Sequence, residues 1–304
     1  MSVPTADPTL KHHSPDEILQ RLEWRVIRRL DGLLQGDYRT LFYGTGIDFA
    51  DIREYQANDD IRHIDWNVTA RMDSPYVRQF VEDRDVTAWF LLDLSPSMGF
   101  GPAARPKQLV LTEYVATLAR LLIRSGNRVG AILYNRQIEQ TIPPRGSRNQ
   151  VLRLMRSILC QPGEASGHAT NLTQLLEAGL NTFKRRSLVF VISDFISEPG
   201  WERPLHLLNR RHELVGIRLY DPREVELPDA GMIVVEDAET GEQLLVDTGH
   251  PEFRRRFFAA AERREEELKT TLKRAGVDLF GISTEEDLVG AIVRMASLRK
   301  RRRQ

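Results

Sequence analysis

The chain has 304 residues, 41% hydrophobic and 28% charged, a globular composition with enough apolar residues for a large core. Lys and Arg together number 43, as do Asp and Glu, so the basic excess that favours nucleic acid or anionic membrane is absent; the one exception, the Arg-rich run at 299–303, reads as a solvated tail. Cys160 is the only cysteine, which excludes an internal disulfide and a Cys-rich zinc site.

Residues 1–13 are polar and carry no signal-like apolar run. Ser14-Pro15-Asp16-Glu17 has the form of a capping box, and Ile18, Leu22, Val26, Leu30 and Leu33 continue it as an amphipathic helix that Gly36 stops. Between 37 and 83 charged and aromatic residues alternate without a period. Irregular structure and short strands are expected there, with Asp59, Asp60 and Asp65 pairing with Arg53, Arg62 and Arg71, and with Tyr55 and Trp66 as packing residues. Residues 1–83 thus read as an N-terminal helix and segment packed on a core domain at 84–304.

From residue 84 the pattern is regular. Residues 86–92 form an apolar strand, 107–124 a helix, 128–134 a strand, and 137–142 a hairpin partner for it. Helices at 149–159 and 172–183 precede a second fully apolar strand at 188–193, then a helix at 202–210 and a strand at 213–220. A hairpin insertion near 225–248 turns at 239–241. Phe253, Phe257, Ala261, Leu268 and Leu272 stripe a long helix ending at Gly276, and a strand at 277–282 and a helix at 285–298 close the domain. Strands apolar on both faces and alternating with helices predict an α/β fold with a mostly parallel sheet covered on both sides. Ligands of such sheets sit beyond the carboxyl ends of the strands. No apolar run reaches membrane-spanning length, so a cytoplasmic protein without a membrane span is expected.

Asp93, Ser95 and Ser97 alternate directly after the first apolar strand, Asp194 directly follows the second, and Thr170 lies in a loop before a helix. Asp-x-Ser-x-Ser alone also suits a loop whose serines cap the next helix. On one edge of a parallel sheet, however, two carboxylates and three hydroxyls make a set of hard oxygen donors, suited to magnesium with manganese as the alternative. Two neighbouring carboxylates also repel unless a cation or proton lies between them.

These five residues, in this order, resemble the metal-ion-dependent adhesion site of von Willebrand factor A domains, except that the common Gly-Gly-Thr becomes His168-Ala169-Thr170. The upstream stretch is similar to the signature of the domain of unknown function fifty-eight family: Gly44, Gly46, Asp48-Phe49, Asp51, Arg53 and Tyr55, then Asp60, Arg62, Ile64-Asp65-Trp66, Thr69-Ala70-Arg71 and Val77-Arg78. The resemblance spans roughly residues 35–200. It implies a von Willebrand A-like fold, a non-enzymatic magnesium-dependent interaction module whose ion accepts an Asp or Glu from a partner protein, and association with a MoxR-type AAA+ ATPase in assembly or maturation of other proteins.

Other chemistries find little support. Gly44-Thr45-Gly46 lacks the Gly-Lys-Ser/Thr of a phosphate loop, and nucleophile-elbow, zinc-protease and dinucleotide fingerprints are absent. The rival is a metal-dependent phosphoester hydrolase with Asp93 or His168 as nucleophile or base, but no separate base or phosphate clamp accompanies them. His168 also reads as an exposed loop side chain, and Cys160 lacks the surroundings of an activated nucleophile.

Overall fold

A computed structural model describes residues 86–102, 105–161, 169–237 and 240–303, with 17, 18, 22, 26, 29, 30, 52–56, 61, 64, 66–72 and 74–78 before them. The helix-opening box apart from Glu17, about half of the upstream signature, the acidic cluster and His168 lie outside the described residues. The chain divides into two compact units, 43–86 and the remainder.

In the smaller unit, strand β1 (Ile52–Glu54) pairs antiparallel with β2 (Tyr76–Arg78), and helix α1 (Trp66–Met72) lies between them in sequence. The helix departs from the irregular segment that the sequence predicts. Its Val68 and Thr69 are weak helix formers, and seven residues are too few to display a 3.6-residue period. Thr69 is used instead as an acceptor: its Oγ1 takes the Tyr76 N–H at 2.9 Å, tying helix to strand. Trp66, expected to pack, is 71% exposed, because it opens a short helix whose partner strand buries Val77 instead.

The larger unit is a six-stranded sheet. Its strands are β3 (Thr87–Asp93), β4 (Arg128–Tyr134), β5 (Ile138–Arg145), β6 (Leu188–Ser193), β7 (Glu213–Tyr220) and β10 (Asp278–Ser283), in spatial order β10-β7-β6-β3-β4-β5. All pairs are parallel except β4 with the edge strand β5. The helices are α2 (Lys107–Arg124), α3 (Arg148–Leu159), α4 (Leu172–Thr182), α5 (Glu202–Arg211), α6 (Pro251–Arg274) and α7 (Leu288–Arg303). This is the doubly wound, von Willebrand A-like arrangement, with one antiparallel edge.

Side chains alternate across each strand, so β3 serves two cores. Trp89 and Leu91 join Val189 and Val191 under α4, α5 and α6. Phe90 stacks on Phe190 across the other face, where α2 meets α7 through the Tyr114 hydroxyl and the Met295 sulfur at 3.1 Å. Gly130 permits the first core: a Cβ there would stand 2.9 Å from the Trp89 ring and 2.8 Å from the Ile142 carbonyl oxygen.

The insertion is a hairpin of β8 (Met232–Glu236) and β9 (Gln243–Asp247), as the sequence predicts. The C-terminal run departs from the expected solvated tail at Arg299. Helix α7 continues through Arg303, and Arg299 is buried, paired with Glu213 at the start of β7. The register of α7 brings Arg299 to Glu213.

The path of the chain reverses between β3 and β6. From β3 it continues to β4 on one side, and from β6 to β7 on the other, so these adjacent strands flank the topological switch point. Crevices open there because the connections leaving the two strand ends diverge.

Candidate functional site at the switch point

Asp93 ends β3 and Asp194 follows the last residue of β6; both are buried. Two short-range bonds shape the β3 end. The Ser95 N–H donates to Asp93 Oδ1 at 3.0 Å, which folds the Asp-x-Ser step back on itself. The Ser95 and Ser97 hydroxyls then lie 3.2 Å apart, at the start of the one-turn helix Pro96–Gly99. Asp93 Oδ2 accepts the Ser193 hydroxyl at 2.6 Å, a direct bond across the switch point.

Ser193 in turn accepts the Phe195 N–H at 2.8 Å. Phe195 has φ 59°, a left-handed conformation that costs a bulky residue of the order of 1–2 kcal/mol. Packing against Trp201, with ring centroids 5.8 Å apart, helps hold it there. The bend turns the chain immediately after Asp194, whose Oδ1 accepts the Ile196 N–H at 3.0 Å.

Thr170 reaches the same edge through its backbone. The Asn171 N–H donates to the hydroxyl of Tyr134, the β4 residue in register with Asp93. The Thr170 carbonyl accepts Ser197 Oγ and the Glu198 N–H, both at 2.9 Å. The loop is thus tied to residues flanking the end of β3 on both sides, with Thr170 itself buried.

The two carboxylates differ in their electrostatics. Burial, and then the charge of Asp194, push Asp93 up to about 6, against the lowering effect of its hydrogen bonds from Ser193 and Ser95. Asp194 has a cation of its own. Lys107 Nζ, fully buried, lies 2.8 Å from Asp194 Oδ2 and 2.6 Å from Glu224 Oε1. Burial alone would lower the Lys107 pKa, but the charges of Asp194 and Glu224 outweigh it and hold it above the ordinary lysine value. Glu224 is locked by a capping box in which its Oε2 accepts the Asp221 N–H at 2.9 Å.

Asp93, Ser95, Ser97, Thr170 and Asp194 therefore converge on one sheet edge, whereas Lys107, Ser193 and Glu224 went unnoticed in the sequence. The available signal was Lys107 itself, a cation opening a helix with no acid in its first turn, where the helix dipole disfavours it. Among the described residues no group of three or more His, Cys, Asp or Glu could hold a metal. An ion here would depend on the hydroxyls as much as on the carboxylates. A buried, proton-seeking Asp93 beside two hydroxyls suits a hard divalent cation. Beside Asp194 a cavity of about 300 Å³ opens between the residues after β6 and helix α6, with Arg218, Arg264, Glu202 and Glu267 on its walls.

The family described as "Protein of unknown function DUF58" matches residues 51–267. The chain belongs to this family. Among its relatives, the uncharacterized protein Rv1480 of Mycobacterium tuberculosis is 35% identical over 285 residues, covering 93% of this chain and 89% of that one. The uncharacterized protein MAV169 of Mycobacterium avium is 33% identical over 162 residues, covering 53% of this chain and 94% of that one. Among solved structures, the conserved hypothetical protein BatB from Bacteroides thetaiotaomicron superposes with a TM-score of 0.44 at 15% identity, over 71% of this chain and 99% of that one. No helix among the described residues is long and apolar enough to cross a membrane.

Proposed function

We propose that this DUF58 protein is a non-enzymatic, magnesium-dependent protein-interaction module. Asp93, Ser95, Ser97, Thr170 and Asp194 would hold magnesium, or manganese in its place, partly through water. The ion would supply an electrophilic position for a carboxylate from a partner. The observation that carries this reading is Asp93: a fully buried carboxylate at the switch point, met only by neutral donors and raised to about 6. A cation beside it relieves an electrostatic cost that the protein's own hydrogen bonds leave in place.

The partner class follows from the charge balance. With two carboxylates among five donors, and one already facing an ammonium, a bound divalent ion retains an unsatisfied field that an Asp or Glu would complete. A MoxR-type AAA+ ATPase, acting in assembly or maturation of other proteins in the cytoplasm, is the partner system that the motif resemblance favours.

The test is calorimetric titration of magnesium, followed by capture of the ATPase with magnesium and with chelator, for wild type and Asp93→Ala. Magnesium binding and ATPase capture that are both lost in folded Asp93→Ala, with capture by wild type lost in chelator, support the module. Equal magnesium affinity in the two proteins rejects the metal assignment, and capture indifferent to metal rejects the bridging role.

A further inference from the structure

Lys107 is a charged side chain at this edge to which the proposed function gives no part in holding the ion, and its setting is built rather than incidental. Gly101, at φ 135°, folds the loop before α2 so tightly that a Cβ would stand 3.0 Å from Pro106 Cα. The Phe100 carbonyl accepts the Lys107 N–H at 3.0 Å, and the Phe100 ring lies 5.9 Å from Nζ. The ammonium is thus enclosed by one ring face and two carboxylates.

The oxygens of those carboxylates are engaged in pairs. Asp194 accepts from Lys107 at Oδ2 and from the Ile196 N–H at Oδ1; Glu224 accepts from Lys107 at Oε1 and from the Asp221 N–H at Oε2. Each pair combines the ammonium with one backbone amide, so both side chains are fixed around the cation. Asp93 has no such counter-charge among its hydrogen-bond donors, Ser95 and Ser193.

We propose that Lys107 is the resident cation of the switch point, a tethered ammonium that holds Asp194 and competes with a divalent ion for it, so that this lysine sets the magnesium affinity. The inference rests on the metal reading above. An ion arriving at Asp93 meets only one carboxylate whose charge is unmatched. To gain Asp194 it must draw that side chain from an ammonium 2.8 Å away, which then retains Glu224 at 2.6 Å as its alternative partner. Glu224 makes the exchange feasible, because without it a released ammonium would be buried and unpaired. Lys107 thereby weakens the bare site and leaves room for a partner's carboxylate to contribute to holding the ion.

The experiment measures magnesium affinity by calorimetry, and the magnesium-induced rise in melting temperature, for wild type, Lys107→Met, Lys107→Met/Glu224→Gln and Asp93→Ala. The double variant guards against misfolding, because it leaves one carboxylate without the ammonium instead of two. Both lysine variants should bind magnesium at least tenfold more tightly than wild type and show a larger magnesium-induced rise, including the case in which wild type shows no measurable binding. Affinity and rise unchanged in both, with binding lost in Asp93→Ala, overturn the role of Lys107 and leave the metal reading standing. Magnesium binding by Asp93→Ala equal to wild type, or none by any protein, overturns the metal reading and this inference with it. Lysine variants that stay unfolded at saturating magnesium also overturn it, because the ion would then be unable to replace the ammonium.

Discussion

Asp93 and Asp194 stand on neighbouring strands at one sheet edge, both buried, yet the protein treats them differently. Asp93 is met by a hydroxyl and a backbone amide, and its carboxyl is pushed up to about 6. Asp194 is met by a backbone amide and an ammonium that it shares with Glu224. Hydrogen bonding alone leaves a buried carboxylate short of stabilisation, whereas a counter-charge at hydrogen-bond distance supplies it. One half of the edge has a counter-charge at hydrogen-bond distance and the other has neutral donors in its place.

The largest test of that asymmetry removes the counter-charge. In chelator, Lys107→Met leaves Asp194 and Glu224 without the ammonium that bridges them, with Arg218 the cation that remains near both, and breaking a buried pair in this way costs about 3–5 kcal/mol. Urea unfolding at neutral pH should show a loss of that size. A loss under about 1 kcal/mol, the range of a surface ion pair, would mean that the cluster is solvated and the comparison ill-founded.

The second test works on the other half with the opposite sign. Folded Asp93 holds its proton up to about pH 6, against an ordinary value of 3.8. The folded state therefore binds the extra proton between those values. The stability this contributes is fully present below about pH 4 and is lost as the pH rises through about 6. Asp93→Asn keeps the shape without the charge. In metal-free buffer at pH 7.5 it should be more stable than wild type, by roughly 3 kcal/mol on the scale of about 1.4 kcal/mol per pKa unit, and the gap should close by pH 4. Paired urea titrations at the two pH values measure it; a gap independent of pH would remove the electrostatic account of Asp93.

The same division explains what the sequence made legible. The strands β3 and β6 declare themselves by being apolar on both faces, and the residues that follow them stand at an edge that the parallel topology dictates. Asp93, Ser95, Ser97 and Asp194 are therefore readable from local order. Thr170 is legible only through the motif, because its loop is tied in by Tyr134, Ser197 and Glu198, far from it in sequence. Lys107 and Glu224 became part of the site by tertiary placement, in positions that read as the first residue of a helix and the link between a strand and the hairpin insertion. Arg299 was misread for a related reason: a run of arginines signals solvent unless the register of the helix beneath it is known, and here α7 delivers the first of them to Glu213. Helix α1 was missed because its stabilisation comes from β2 rather than from its own residues.

The smallest effect concerns the residue joining the two halves. Ser193 donates to Asp93 and accepts from the N–H of left-handed Phe195, so Ser193→Ala removes both bonds at once. The buried amide and the carboxylate each lose a partner, at a combined cost of about 1–3 kcal/mol. The two contributions differ in pH dependence. Losing the amide's acceptor costs the same at every pH. Losing a donor to the Asp93 carboxylate costs only while that group is charged, and raises its pKa further. In chelator the destabilisation should therefore be greater at pH 8 than at pH 4.5, whereas a purely structural serine would show equal losses. Asp194 and Lys107 keep their contacts in this variant, so Asp93 alone carries the difference. A loss that is equal at both pH values would assign Ser193 to the Phe195 bend and detach it from the electrostatics of the site.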